Sequence, residues 1–137
     1  MAMTFQLHPK LREDTHLITT AADCQVLLMD DARFPWLVLV PQVPDITELY
    51  ELGEQQQQHT YRAILRISEA LARHTQADKM NVAALGNQVP QLHIHIIARY
   101  RTDAAWPGPV WGVGQVKRYT ATELERTKNA LVTILPS

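Results

Sequence analysis

Cysteine is nearly absent. Cys24 is the sole one, so no disulfide can form within the chain, and a lone thiol fits a reducing compartment. A dominant charge sign is missing too. Thirteen basic and fourteen acidic residues leave a formal charge of −1, which is no electrostatic footprint for duplex nucleic acid or an anionic membrane. Neither partner is expected. Hydrophobic runs stay far short of the ~18 residues that suggest a membrane span. The opening Met1-Ala2-Met3-Thr4-Phe5 lacks the basic region and apolar stretch of a signal peptide. A cytoplasmic location is therefore expected. There is no internal repeat and no linker, and the only biased piece is the glutamine run at 55–58. What is present is ordinary: 137 residues, 46% apolar and 20% charged, the profile of one globular domain over residues 1–137. Such a domain buries roughly 68% of its unfolded surface and needs no disulfide or structural metal to fold.

The pattern of residues sets out the elements. Pro9 reads as a breaker in a mixed N-terminal segment. Residues 15–19 suit a short strand, and Cys24-Gln25-Val26-Leu27-Leu28-Met29 suits a better one, ended by a turn at Asp30-Asp31. Trp36-Leu37-Val38-Leu39-Val40 is continuous, β-branched and flanked by Pro35 and Pro41, as in a central strand covered on both faces. Asp45 or Thr47 offers an N-cap. From about 53 to 74 the spacing of Tyr61, Ile64, Ser68 and Leu71, joined by Leu65 and Ala72, follows the helical period. The glutamines are then exposed helix surface. Residues 80–84 read as a strand, 86–90 as a turn-rich loop, and 102–118 as irregular. Thr120-Ala121-Thr122-Glu123 is a capping-box pattern that predicts a last helix to about Ile134. Short-linked strands, one long helix and a terminal helix make an α+β domain with a mainly antiparallel sheet.

One further strand, about 91–99, carries the chemistry. In Gln91-Leu92-His93-Ile94-His95-Ile96-Ile97 a strand puts Gln91, His93 and His95 on one face and Leu92, Ile94, Ile96 and Ala98 on the other. The apolar set has a core to bury. An amide and two imidazoles are costly to bury without partners, so the polar row is a candidate site. An isolated His-x-His is also compatible with two strand histidines of no special role. As metal ligands the pair supplies two nitrogens, and a mononuclear zinc site needs a third ligand. His8, His16, His59 and His74 lie in segments without ligand spacing, and no metal is assigned.

The wider segment Asn81 … Gly86-Asn87-Gln88-Val89-Pro90-Gln91-Leu92-His93-Ile94-His95-Ile96-Ile97-Ala98-Arg99 resembles the histidine triad (HIT) superfamily. That family's motif alternates three histidines with apolar residues, after a Gly-Gln-Ser/Thr-Val loop and an upstream Asn or Gln. Trp36-Leu37-Val38-Leu39-Val40-Pro41 is similar to the family's strand before a Pro-Lys turn. Trp106-Pro107 is similar to a Trp-Pro pair in the branch that hydrolyses nucleoside phosphoramidates. The likeness spans roughly residues 24–111. The departures are specific. Gln91 stands for the first triad histidine, Trp36 for the histidine that often begins the central strand, Gln42 for the lysine after Pro41, and Asn87 and Gln88 for the loop Gln and Ser/Thr. The segment from Asp30 to Trp36 is about two residues short. The resemblance is therefore to a divergent, bacterial-type branch.

The resemblance implies a HIT-like fold of about five antiparallel strands, a homodimer, and a purine nucleotide or nucleotide conjugate as ligand, with no cofactor. It implies that His93 attacks an α-phosphorus and that His95 donates to a phosphate oxygen. Gln91 would orient its neighbours without taking a proton. Gly86, Asn87, Gln88 and Val89 would offer donors to the phosphate, Asn81 a contact to phosphate or leaving group, Asp30 (or Asp31) a contact to ribose, Trp106 and Trp111 walls closing over the leaving group, and Arg99 and Arg101 an attraction for anions. Each has a plainer reading beside it. Asp30 and Asp31 suit a solvated turn, Asn81 a strand-end hydrogen bond, Trp106 and Trp111 packing, Arg99 and Arg101 a solvated surface, and Trp36 the core. Two rival functions stand beside nucleotide hydrolysis or transfer: a nucleotide-binding sensor or interaction module with little turnover, and a metal-dependent hydrolase.

Overall fold

The computed structural model describes residues 4–136. Five strands form one antiparallel sheet in the order β1-β2-β3-β5-β4, with β1 Thr15–Ala21, β2 Cys24–Met29, β3 Trp36–Pro41, β4 Lys79–Ala83 and β5 Ile94–Arg99. Among the described residues three helices accompany it, α1 Pro9–Asp14, α2 Glu54–Thr75 and α3 Ala121–Ile134, with one 3₁₀ turn at Leu49–Glu51. This is the α+β, five-stranded arrangement expected from the sequence. No helix among the described residues is long and apolar enough to cross a membrane.

Alternation in the strands builds two cores. Val26, Leu28, Leu37, Leu39, Ile94, Ile96 and Ala98 pack on Ile64, Ile67 and Leu71 of α2 and Leu131 of α3. On the other face Leu27, Trp36, Val38, Val40 and Ile97 meet Phe34, Val110 and Leu11. β3 is buried along its whole length, as its unbroken apolar run requires. The capping box of α3 forms as expected. Thr120 Oγ1 accepts from the Glu123 amide at 3.2 Å, and Glu123 Oε1 accepts from the Thr120 amide at 3.0 Å.

Several expectations are corrected. Pro9 starts a helix instead of breaking one. It occupies the first turn, where its missing N–H costs nothing, and His8 is the N-cap. The N-cap of α2 is Gly53, and Asp45 sits at φ 58 in a turn. The buried face of α2 is Thr60, Ala63, Ile64, Ile67 and Leu71, while Tyr61 and Leu65 are 64% and 54% exposed. The histidine strand begins at Ile94, three residues later than expected. The β3–β5 ladder ends at the Leu39–Ile94 pair, and the Leu92 amide turns aside to the Ile46 carbonyl at 2.8 Å.

Candidate functional site

His95 lies opposite Val38 in the ladder and so shares the face of the second core. His93, just before the strand, lies beside it, with ring centroids 4.9 Å apart at 74°. Both rings are almost covered, at 6% and 4% exposure. Leu92, Ile94, Ile96 and Ala98 are in the opposite core. The alternation foreseen for this segment therefore holds for both histidines and for the apolar set.

Each ring has its proton placed by a partner of fixed polarity. The Gln91 carbonyl lies 2.6 Å from His93 Nδ1. A carbonyl oxygen only accepts, so Nδ1 carries the proton and Nε2 keeps its lone pair. Trp36 Nε1 lies 3.0 Å from His95 Nδ1. An indole N–H only donates, so Nδ1 of His95 is unprotonated and its proton sits on Nε2. The two Nε2 atoms have no protein partner among the described residues. Neither is sealed from solvent: Ser68 Oγ is the only buried, unpartnered side-chain polar atom among those residues. The face thus presents one lone pair and one N–H donor side by side.

Burial, more than anything else, keeps both rings neutral. It lowers the pKa of His93, with a charge on His8 adding to the effect and the Gln91 carbonyl opposing it. Burial and then the charge of His93 push His95 down to about 4. His95 titrates near ~6.5 when unfolded, so it must gain a proton on unfolding in mild acid. Its contribution to stability is complete above the unfolded pKa and is lost as pH falls from there toward about 4. We expect the urea midpoint to fall across that window by an amount equivalent to about 3 kcal/mol for His95, with the lowered His93 adding to the fall. Trp36→Phe keeps a ring in place but frees Nδ1, and should flatten the fall. An equal pH slope in the variant would show that the indole bond has no hold on His95.

The walls are aromatic. Trp111 stands edge-on to His95 at 5.1 Å and to Trp36 at 5.9 Å. Trp106, expected as a wall together with Trp111, lies with its ring 5.8 Å from the Arg99 guanidinium. Arg99 is not a solvated surface residue; it is 2% exposed. It donates to both oxygens of Asp103 at 2.8 and 3.0 Å, to Asn81 Oδ1 at 2.8 Å and to the Gly108 carbonyl at 2.8 Å. Asp103 also accepts from the amides of Tyr100, Ala105 and Trp106. This knot folds the segment after β5 back, so that Trp111 can reach His95.

The other predicted residues fall into separate sets. Asn81 lies opposite Ile97 in the β4–β5 ladder, on the histidine face, with its carbonyl oxygen held by Arg99. Asp30 is engaged by Arg118 at 2.8 Å, the Tyr119 amide at 3.0 Å and His16 at 3.4 Å, and Asp31 by Arg33 and the Lys117 amide. Both carboxylates therefore clamp the stretch before α3. Gly86 takes φ +81, a left-handed turn that glycine adopts freely. Asn87 and Gln88 are exposed, and their side chains make no hydrogen bond among the described residues. Gln91 turns its side chain away from His93: Nε2 donates to the Gln6 carbonyl and Oε1 accepts from the His8 amide, both at 2.8 Å. Among the described residues no three His, Cys, Asp or Glu side chains are grouped as metal ligands. Sequence reasoning missed the Trp36–His95 bond and the nearness of His8. An indole at a strand start carries no mark of its donor's target.

Comparison with known proteins bears on the fold and the family. No curated protein matches the chain significantly. Among solved structures, a histidine triad protein from Bradyrhizobium japonicum is 48% identical, with 98% of this chain and 100% of that one covered and a TM-score of 0.95. One from Marinobacter aquaeolei VT8 is 47% identical, with 97% of each covered and a TM-score of 0.95. One from Sinorhizobium meliloti 1021 is 41% identical, with 96% and 98% covered and a TM-score of 0.93. The HIT domain profile matches residues 10–102, a span that takes in the sheet, α2 and both paired imidazoles, and the chain accordingly belongs to the histidine triad family.

Proposed function

We propose that the chain is a nucleotide hydrolase or nucleotidyl transferase acting at the α-phosphate of a nucleoside phosphate derivative. The carrying observation is the opposite tautomers of His93 and His95. Attack needs a free lone pair, and His93 Nε2 offers one. The phosphoryl oxygens gain charge as it attacks, and His95 Nε2–H is a preorganised donor for that charge. The His93–phosphorus bond forms as the bond to the leaving group breaks. Water then attacks the nucleotidyl-histidine and returns His93 with its lone pair. The Gly86–Val89 turn supplies further donors, Asn81 bounds the site, and Trp111 walls it. Membership of the family supports nucleotide binding. A homodimer is the assembly this reading expects, favoured by β4 at the sheet edge with Val82 47% exposed.

The test is incubation of the pure protein, with chelator, against adenosine phosphoramidate, diadenosine polyphosphates and a dinucleotide cofactor. AMP release is measured, and rapid acid quench with mass spectrometry looks for a covalent nucleotidyl adduct. Release with an adduct on His93 is the expected result, and the best substrate names the leaving group. AMP binding without release from any substrate would replace the hydrolase with a binding module. Activity that disappears with chelator would replace it with a metal-dependent enzyme.

A further inference from the structure

We infer that His8 is a third histidine of this centre, a phosphate-oxygen donor that the Gln91 side chain ties to the same rim as His93 and His95. The inference rests on the nucleotide reading above and adds a residue to it. The side-chain amide of Gln91 behaves like one rung of a ladder. It accepts from the His8 amide and donates to the Gln6 carbonyl, and so fastens an extended N-terminal strap to the histidine segment. Phe5 and Leu7 of the strap pack against the second core, the cluster that contains Trp36, which holds the strap on the histidine face. At its other end the same residue, through its carbonyl, holds the His93 ring. Gln91 therefore links the His8 main chain to the His93 side chain directly.

The His8 ring has a fixed tautomer as well. The Lys10 amide donates to its Nδ1 at 3.0 Å, so the proton of the neutral ring sits on Nε2. His8 is half-buried, and a charge on it depresses the proton affinity of His93; the two rings share one electrostatic neighbourhood. His8 thus offers the same Nε2–H as His95. The centre then has one lone pair and two donors, a set that suits a phosphoryl group under attack. His8 is not placed to act as a proton-transferring acid. Its Nδ1 is occupied by an N–H, so it cannot take up a second proton there to replace one given from Nε2. It acts by hydrogen bond, and no proton moves.

The blander role is helix capping alone, and His8→Asn separates the two. Asparagine caps helices well and leaves the main-chain N–H for Gln91, but it lacks the Nε2–H. The experiment compares wild type, His8→Asn, Gln91→Ala and the double variant for AMP binding and for turnover of adenosine phosphoramidate. Thermal melting is run beside them. A lost hydrogen bond to a charged group should lower kcat/KM by about tenfold to a hundredfold in His8→Asn, with the melting point unchanged. Gln91→Ala should fall similarly, and the double variant should be no worse than the poorer single one, because Gln91 acts through His8. Values for His8→Asn within about twofold of wild type would overturn the inference. If wild type neither binds AMP nor turns over any substrate, the nucleotide reading fails by itself. His8 is then judged in the free protein by NMR titration of the His93 ring, whose titratable neighbours are His95 on β5 and His8 on the strap. His93 should titrate at higher pH in His8→Asn, and an unchanged titration would overturn the placement.

Discussion

Replacing His93 with alanine should abolish turnover, lowering kcat by at least ~10⁴-fold, the scale of loss when a covalent nucleophile is removed from a site whose other donors remain. No second group takes over. His95 Nδ1 is held by the Trp36 indole and its Nε2 bears the proton, so it has no lone pair facing the substrate. Gln91 is an amide with its side chain committed to the N-terminal strap. AMP binding should weaken far less than turnover, because His95 Nε2–H and the turn at 86–89 remain. The variant should fold: the position precedes β5, and the deleted ring leaves space that opens at the rim. Quenched-flow measurement of AMP together with mass spectrometry checks this. An adduct still formed by His93→Ala would place the nucleophile elsewhere, and a loss of AMP binding equal to the loss of turnover would make His93 a binding group.

What the sequence makes legible is local. β2 and the α3 capping box are where their residues place them, because apolar periodicity and side-chain caps act within a few residues. The pairing of His93 with His95 on one face follows from the two-residue period alone. What was not legible depends on distant partners. Gln91 and His8 are 83 positions apart, and Trp36 and His95 are 59 apart; neither bond has a signature in either segment. Pro9 misled because a proline that breaks a helix and one that opens it look alike until the N-cap is seen. Tyr61 and Leu65 misled because they fit the helical period on a face that proved to be exposed. Arg99 misled because an arginine at a strand end is ordinarily solvated, and only the fold shows Asp103, Asn81 and Gly108 waiting around it.

Asp103→Ala should be the most destabilising single change in the site's support, at about 3–5 kcal/mol. The cost is set at Arg99. Its guanidinium is 2% exposed and has its bidentate pair in Asp103, with Phe34 and Trp106 rings 5.7 and 5.8 Å from it. Removing the carboxylate leaves a cation in an enclosed place and also frees the amides of Tyr100, Ala105 and Trp106. The cost is that of an unpaired buried charge, larger than the net worth of the pair. Replacing both partners, as Arg99→Met with Asp103→Leu, removes the charge and should be milder than Asp103→Ala alone. Arg99 holds the Asp103 carboxyl well below the ordinary carboxylate range. Its contribution is therefore complete above the unfolded pKa and is lost only as pH falls below ~3.9, distinct from the milder-acid loss through His95. Urea unfolding of Asp103→Ala and of the double variant, beside the wild type at neutral pH, gives the comparison. A loss under about 1 kcal/mol in Asp103→Ala would mean that water reaches Arg99 and screens it. Where the large loss is found, Trp111 fluorescence should change with it. The segment that carries Trp111 to His95 is held by this pair, so the stability of the knot and the shape of the histidine site are one property.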